Sequence, residues 1–200
     1  MVVKVCGMKY KENIKDVLAL KPDMMGFIFY EKSPRCADKE TKKVLRESDF
    51  GKTKKVGVFV NETTENILSI AKDCKLDMVQ LHGNESPEAA ALIQKHYPVI
   101  KAIGIENKEN FRSIDKYEGK CNYILLDKKS PSHGGTGKVF DWNLLTEYNY
   151  KTPFLLSGGI SPENISAAKN IKHSSMAGID VNSGFEDAPG LKNIEKLKKL

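Results

Sequence analysis

The chain has no apolar run approaching the ~20 residues that a membrane-crossing helix needs. It also has no Cys-x-x-Cys pair: the four cysteines stand alone at Cys6, Cys36, Cys74 and Cys121. A chain of 200 residues needs no covalent staples, so free thiols are the default reading. No basic stretch with interspersed aromatics is present, although the formal net charge is +6. The lysines are instead interleaved with acids, as in Lys39-Glu40-Thr41-Lys42-Lys43, which is the pattern of solvated helix faces and argues against a nucleic-acid partner. Met1-Val2-Val3-Lys4-Val5-Cys6-Gly7 reads directly as a strand, without the basic and then apolar segments of a signal peptide, so a cytoplasmic protein without membrane association is expected. No linker or low-complexity tract interrupts the chain, and residues 1–200 are expected to form one domain.

What is present is a repeat of short apolar runs, each followed by an amphipathic or polar stretch. The runs are Val2–Cys6, Met24–Phe29, Lys55–Val60, Met78–Leu81, Val99–Ile103, Tyr123–Leu126, Phe154–Leu156 and Ala177–Val181. Their continuous Val, Ile and Leu content suits strands buried on both faces. Between them stand helix signals. Ser86-Pro87-Glu88 and Ser161-Pro162-Glu163 each offer a cap, a proline for the first helical position and an acid for the positive end of the dipole; Asn61-Glu62 before Ile67 reads similarly. Leu191, Ile194, Leu197 and Lys198 at helical spacing predict a closing helix. Strand and helix alternating eight times predict an α/β fold with a parallel sheet. An open doubly wound sheet is the alternative, but eight units favour a compact (β/α)8 barrel of the TIM type. Its weakest unit is the fifth, where Asn107–Gly119 allows only a short or degenerate helix.

In such a barrel the chemistry sits where the strands end. Those positions hold Cys6-Gly7, Ser33-Pro34-Arg35, Asn61, His82-Gly83, Asp127, Ser157-Gly158-Gly159 and Asp180 with Asn182-Ser183-Gly184. The two glycine turns after the seventh and eighth strands offer backbone N–H groups to an anion, which points to a small phosphorylated substrate. Asp127 closes an apolar strand and precedes a long glycine-rich loop, Lys128–Gly137, suited to a lid or cradle; the residue itself is equally consistent with a loop cap and with an acid in the barrel mouth. Cys6 would become a usable base if a cationic neighbour lowered its pKa, and Lys4 and Lys9 are close in sequence. Arg35 could fork onto a carboxylate or phosphate, or simply be a surface residue, and His82 could be a cap or a substrate contact.

Taken in order, these motifs resemble the phosphoribosylanthranilate isomerases of tryptophan biosynthesis. The resemblance runs through Lys4-Val5-Cys6-Gly7, Phe27-Ile28-Phe29 with Ser33-Pro34-Arg35, Val56–Asn61 and Val79–Gly83. It continues through Leu126-Asp127, Gly134–Gly137 with Phe140-Asp141-Trp142, Ser157–Asn164 and Gly178–Gly184. Asn182 departs from the commoner Ser, and Lys128-Lys129 from smaller residues. The resemblance implies an aldose–ketose isomerase that carries out an Amadori rearrangement with Cys6 as base and Asp127, held protonated, as acid. It implies Arg35 on the anthranilate carboxylate, and Gly158, Gly159, Ser183 and Gly184 on the phosphate. His82, Gly135, Thr136 and Asp180 are further candidate substrate contacts. It implies no metal and no redox cofactor, and leaves monomer or homodimer open. A histidine-pathway isomerase on the same barrel would call for a carboxylate where Cys6 stands, and a catalytically silent phosphometabolite-binding barrel would have tolerated loss of Cys6 or Asp127.

Overall fold

The structure, a computed structural model, describes residues 1–128 and 140–200. Eight parallel strands close into a barrel in simple sequential order, β8 returning to pair with β1. They are β1 (Val2–Val5), β2 (Met24–Ile28), β3 (Lys54–Phe59), β4 (Met78–Leu81), β5 (Val99–Ile105), β6 (Tyr123–Lys128), β7 (Phe154–Leu156) and β8 (Met176–Val181). Each overlaps the apolar run that predicts it, and the closed barrel displaces the open-sheet alternative. Helices α1 (Lys11–Ala19), α2 (Lys39–Glu47), α3 (Thr64–Asp73), α4 (Pro87–Gln94) and α5 (Ile165–Asn170) follow β1, β2, β3, β4 and β7.

Strand residues alternate between two apolar compartments, because side chains of period two leave the sheet on opposite faces. Met24, Val56, Met78, Ile100, Leu125 and Leu155 plug the barrel interior. The outward set, including Phe27, Phe59, Val79, Leu81, Val99, Leu126 and Phe154, packs under the helices. Both faces are therefore dry, which is why the runs are continuous instead of alternating. Above the plug the interior turns polar, with Lys4, Gln80 and Asp180 all buried. That change marks the end of the barrel where the candidate site residues gather.

The caps follow the sequence in part. Ser86 Oγ accepts from Ala89 N–H with Pro87 at the first helical turn, as the motif predicts. The third helix is capped one residue beyond the predicted Asn61-Glu62, by Thr63, which accepts from Asn66 N–H. Ser161-Pro162-Glu163 starts no helix: Asn164 Oδ1 accepts from Ser161 N–H and its amide donates to the Gly159 carbonyl, holding a turn that delays α5 to Ile165. The fifth connection is a 3₁₀ helix, Lys108–Lys116, as its weak pattern foretells, and the sixth is another, Trp142–Glu147, capped by Asp141. The predicted closing helix is largely replaced. Leu191 belongs to an antiparallel pair, β9 (Glu186–Ala188) with β10 (Leu191–Lys192), and only Ile194–Leu197 are helical, as α6.

One buried ion pair fixes the βα turns that carry His82. Lys101, outward on β5, donates to the Leu81 carbonyl at 3.3 Å, to the Gly83 carbonyl at 2.6 Å and to Glu85 Oε2 at 2.9 Å. The Glu85 carboxylate also accepts from the Asn61 and Gly83 N–H groups, and Tyr117 Oη donates to its backbone carbonyl. Lys101 and Glu85 are both nearly inaccessible to solvent, so removing one leaves the other an uncompensated buried charge. Lys101→Met should cost about 3–5 kcal/mol in urea unfolding; a loss below ~1 kcal/mol, the level of an exposed pair, would show that the pair is not structural.

Candidate active site

The strand ends enclose a cavity that opens to solvent. Cys6, Arg35, His82, Asp127, Gly158, Gly159, Asp180 and Ser183 all line it. Eight candidates scattered over the whole sequence thus meet at one place. Gly184 stands just behind, against the Ile160 carbonyl. Gly135 and Thr136, and with them most of the proposed lid, lie outside the described residues.

Cys6 leaves β1 with its N–H bonded to the Val181 carbonyl at 2.8 Å, which ties it to the end of β8. Lys4, two residues earlier on the same face, is fully buried, and its Nζ meets Asp180 Oδ1 at 2.7 Å. Gly26 on β2 leaves the room for both side chains. A Cβ there would sit 2.7 Å from Cys6 Sγ, 3.1 Å from Cys6 Cα and 3.2 Å from Lys4 Nζ. Gly7, at φ +75°, lets Asn182 Oδ1 and the Arg35 side chain approach the backbone beside Cys6. Lys9 is not part of this cluster; its Nζ donates to the Pro34 carbonyl.

The expected lowering of the Cys6 pKa is not what the site produces. Burial pushes the thiol above its ordinary value; Lys4 and then Lys192 draw it down, Asp180 pushes it up, and burial prevails. Lys4 itself is held above its ordinary value: burial works against its charge, but Asp180 and Cys6 outweigh that.

Asp180 lines the cavity and is also tied into the barrel end. Its Oδ1 accepts from Lys4 and its Oδ2 from Ser157 Oγ at 3.2 Å. Both oxygens are engaged in holding the barrel end together, so it serves as the counter-ion of Lys4. Arg35 is likewise no loose surface side chain. Its Nε and Nη2 grip the Glu186 carboxylate at 3.0 and 2.7 Å, which leaves Nη1 as the guanidinium nitrogen outside that fork. His82 is no cap: Nε2 lies 3.4 Å from Asp127 Oδ2, while its Nδ1 is 2.8 Å from Gln80 Nε2. Asp127 Oδ1 accepts from Lys128 N–H. Gly158 and Gly159 have φ of +78° and +73°, and a Cβ on Gly158 would strike Lys128 N at 2.6 Å and Asp127 Oδ1 at 2.9 Å. The glycine turn and the acid are thus packed against each other.

Sequence reasoning missed Gly26, Glu186 and Lys192, and left Lys4 undecided. Lys4 had a signal, because residues i and i+2 share a face of a strand. Glu186 and Lys192 had none, since a hairpin brings them in.

With the site in view, comparison with known proteins is informative. Residues 3–200 match the family described as N-(5'phosphoribosyl)anthranilate (PRA) isomerase. The chain belongs to that family. An N-(5'-phosphoribosyl)anthranilate isomerase of Parabacteroides distasonis is 51% identical over 202 residues, covering 100% of this chain and 91% of the relative. A crystal structure of phosphoribosyl anthranilate isomerase from Thermotoga maritima superposes with TM-score 0.89 at 37% identity, covering 100% of this chain and 96% of that one. A phosphoribosyl anthranilate isomerase crystallised with reduced 1-(o-carboxyphenylamino)-1-deoxyribulose 5-phosphate gives TM-score 0.85 at 34% identity, with the same coverage.

The tight approach at Gly26 can be tested. Gly26→Ala should displace Cys6 Sγ and lower kcat by roughly 10²-fold, the scale of a 1 Å misplacement, with the far-UV circular dichroism spectrum unchanged. A folded variant of full kcat would show that the position of Sγ does not matter.

Proposed function

We infer that this isomerase catalyses the Amadori rearrangement of N-(5-phosphoribosyl)anthranilate to 1-(2-carboxyphenylamino)-1-deoxyribulose 5-phosphate in tryptophan biosynthesis. One observation carries the reading: Cys6 and Asp127, a base and an acid of different chemical type, line one cavity in a member of this family. The relative bound to a reduced form of the product supports the substrate class.

In the proposed sequence, the Asp127 carboxyl gives its proton to the ring oxygen as the C1–O bond breaks and the anilino nitrogen forms a C=N bond. The Cys6 thiolate then removes the proton from C2, and the electrons of that C–H bond form the C1=C2 double bond of an enolamine. Tautomerisation returns a proton to C1 and leaves the ketone at C2. Every proton released is taken up again, so the step is redox-neutral overall and draws on acid–base groups alone. His82, whose Nε2 lies 3.4 Å from Asp127 Oδ2, is assigned to the substrate.

The rest of the cavity fits the two ends of the substrate. Gly158-Gly159 and Ser183-Gly184 are assigned to the phosphate, because glycine turns can offer backbone N–H groups to an anion. Arg35 is assigned to the anthranilate carboxylate through Nη1, the nitrogen left by the Glu186 fork. Residues 1–200 are read as a single catalytic domain.

Loss of fluorescence of freshly made phosphoribosylanthranilate should be rapid with the wild type and about 10²–10⁴-fold slower with Cys6→Ser and with Asp127→Asn. An inactive wild type would defeat the function, and an active variant would defeat that residue's role. The pH dependence has a definite sign. Because burial holds the Cys6 thiol above its ordinary value, the thiolate is the minor form at neutral pH. Then kcat/KM should climb from neutral into alkaline conditions, by ~10-fold per pH unit at most. A flat profile across that range would contradict a thiolate base that titrates in the free enzyme.

A further inference from the structure

The charges around Cys6 do not cancel. Lys4 from β1 and Asp180 from β8 form a pair beside it, and Arg35, from the turn after β2, lines the same cavity and is bonded to Glu186 of β9, which also holds Lys192 of β10. Lys4 and Asp180 form one balanced pair. Glu186 must serve two cations: Arg35 through both carboxylate oxygens, and Lys192 through Oε1. Among the described residues, three cations of this cluster thus share two carboxylates.

Lys192 is held there with unusual firmness for a lysine. Its side chain is fully shielded from solvent, and Nζ also donates to Asn182 Oδ1 at 2.7 Å. That same Oδ1 is the atom packed against the Gly7 backbone, next to Cys6. Asn13 on α1 bonds both the N–H and the carbonyl of Lys192, each at 2.8 Å. An ordinary buried lysine would have its own carboxylate; this one shares Glu186 with an arginine.

We propose that Lys192 is a positioning residue for the Cys6 base, its pinned ammonium being the counter-charge that favours the thiolate over the thiol. The inference rests on the reading of Cys6 as the base. Burial lowers the Lys192 pKa, against the pull of Glu186, and raises that of Cys6. Each charge is therefore disfavoured alone and favoured in the presence of the other. Glu186 has the opposite influence: it draws on the cations and leaves less of their charge for the sulfur.

Two substitutions should consequently move Cys6 in opposite directions. The readout is the pH dependence of iodoacetamide alkylation at Cys6, followed by mass spectrometry of the peptide that contains it in the intact, unliganded protein. Lys192→Met should raise the apparent pKa by about one unit, making alkylation below that pKa roughly tenfold slower, with kcat/KM at neutral pH falling by a similar factor. Glu186→Gln should lower the apparent pKa. A folded Lys192→Met protein whose Cys6 titrates as in the wild type overturns the proposal, as do two variants that shift the same way. If Lys192→Met does not fold, Glu186→Gln decides alone, and no fall in the pKa overturns the proposal. Alkylation reads the thiol and not turnover, so these outcomes are separate from an active Cys6→Ser enzyme, which would remove the base role itself.

Discussion

The Lys4–Asp180 ion pair is the contact on which the site depends. It joins β1 to β8, where the barrel closes, and it lies directly behind Cys6. Both partners are almost without solvent. A buried pair of this kind offers little net stability over apolar residues of the same size, because desolvation offsets most of the attraction. The plug just below it, Met24, Val56, Met78, Ile100, Leu125 and Leu155, shows that this chain can fill the barrel with apolar side chains. Placing a lysine and an aspartate one layer higher supplies a fixed positive charge beside the thiol and, through Asp180 Oδ2, an anchor for Ser157 at the start of the glycine turn. One interaction thereby links strand closure, Cys6 and the glycine turn after β7.

The cavity divides its tasks by strand. The β1 and β8 ends carry Cys6 and the Lys4–Asp180 pair beside it, and β4 and β6 carry the His82–Asp127 pair. The turn after β7 is pressed against Asp127 by Gly158. The Lys101–Glu85 pair, on the outer side of β5, holds the turns after β3 and β4, and so sets His82 without touching the cavity. Precision at the mouth therefore rests on two buried ion pairs on different faces of the sheet. Buried charges of this kind tolerate the loss of neither partner.

The barrel was legible because strands that are dry on both faces leave continuous apolar runs, and each of the eight runs overlaps a strand. Helix starts were less so. Ser86 caps as its motif says, whereas Asn164 captures Ser161 into a turn that no local rule announces. The cavity residues could be listed because strand ends are where this architecture gathers them. Their electrostatics could not. The Cys6 environment depends on Glu186 and Lys192, and their hairpin reads as the approach to a helix when only the spacing of Leu191, Ile194 and Leu197 is weighed. Asp180, at a strand end like the others, is also the counter-ion of Lys4, which reaches it across the β1–β8 seam. Such partnerships are set by register and hairpin geometry over more than 170 residues of separation, and local spacing does not encode them.

The most direct measurement is a crystal structure of this protein with reduced 1-(o-carboxyphenylamino)-1-deoxyribulose 5-phosphate bound. The account predicts the phosphate on the Gly158-Gly159 and Ser183-Gly184 turns, the carboxylate on Arg35, and Asp127 facing the carbon chain. It also predicts Cys6 Sγ about 3.5 Å from C2, the approach expected of reacting atoms. A ligand bound with its phosphate elsewhere, or with C2 turned away from Cys6, would contradict it.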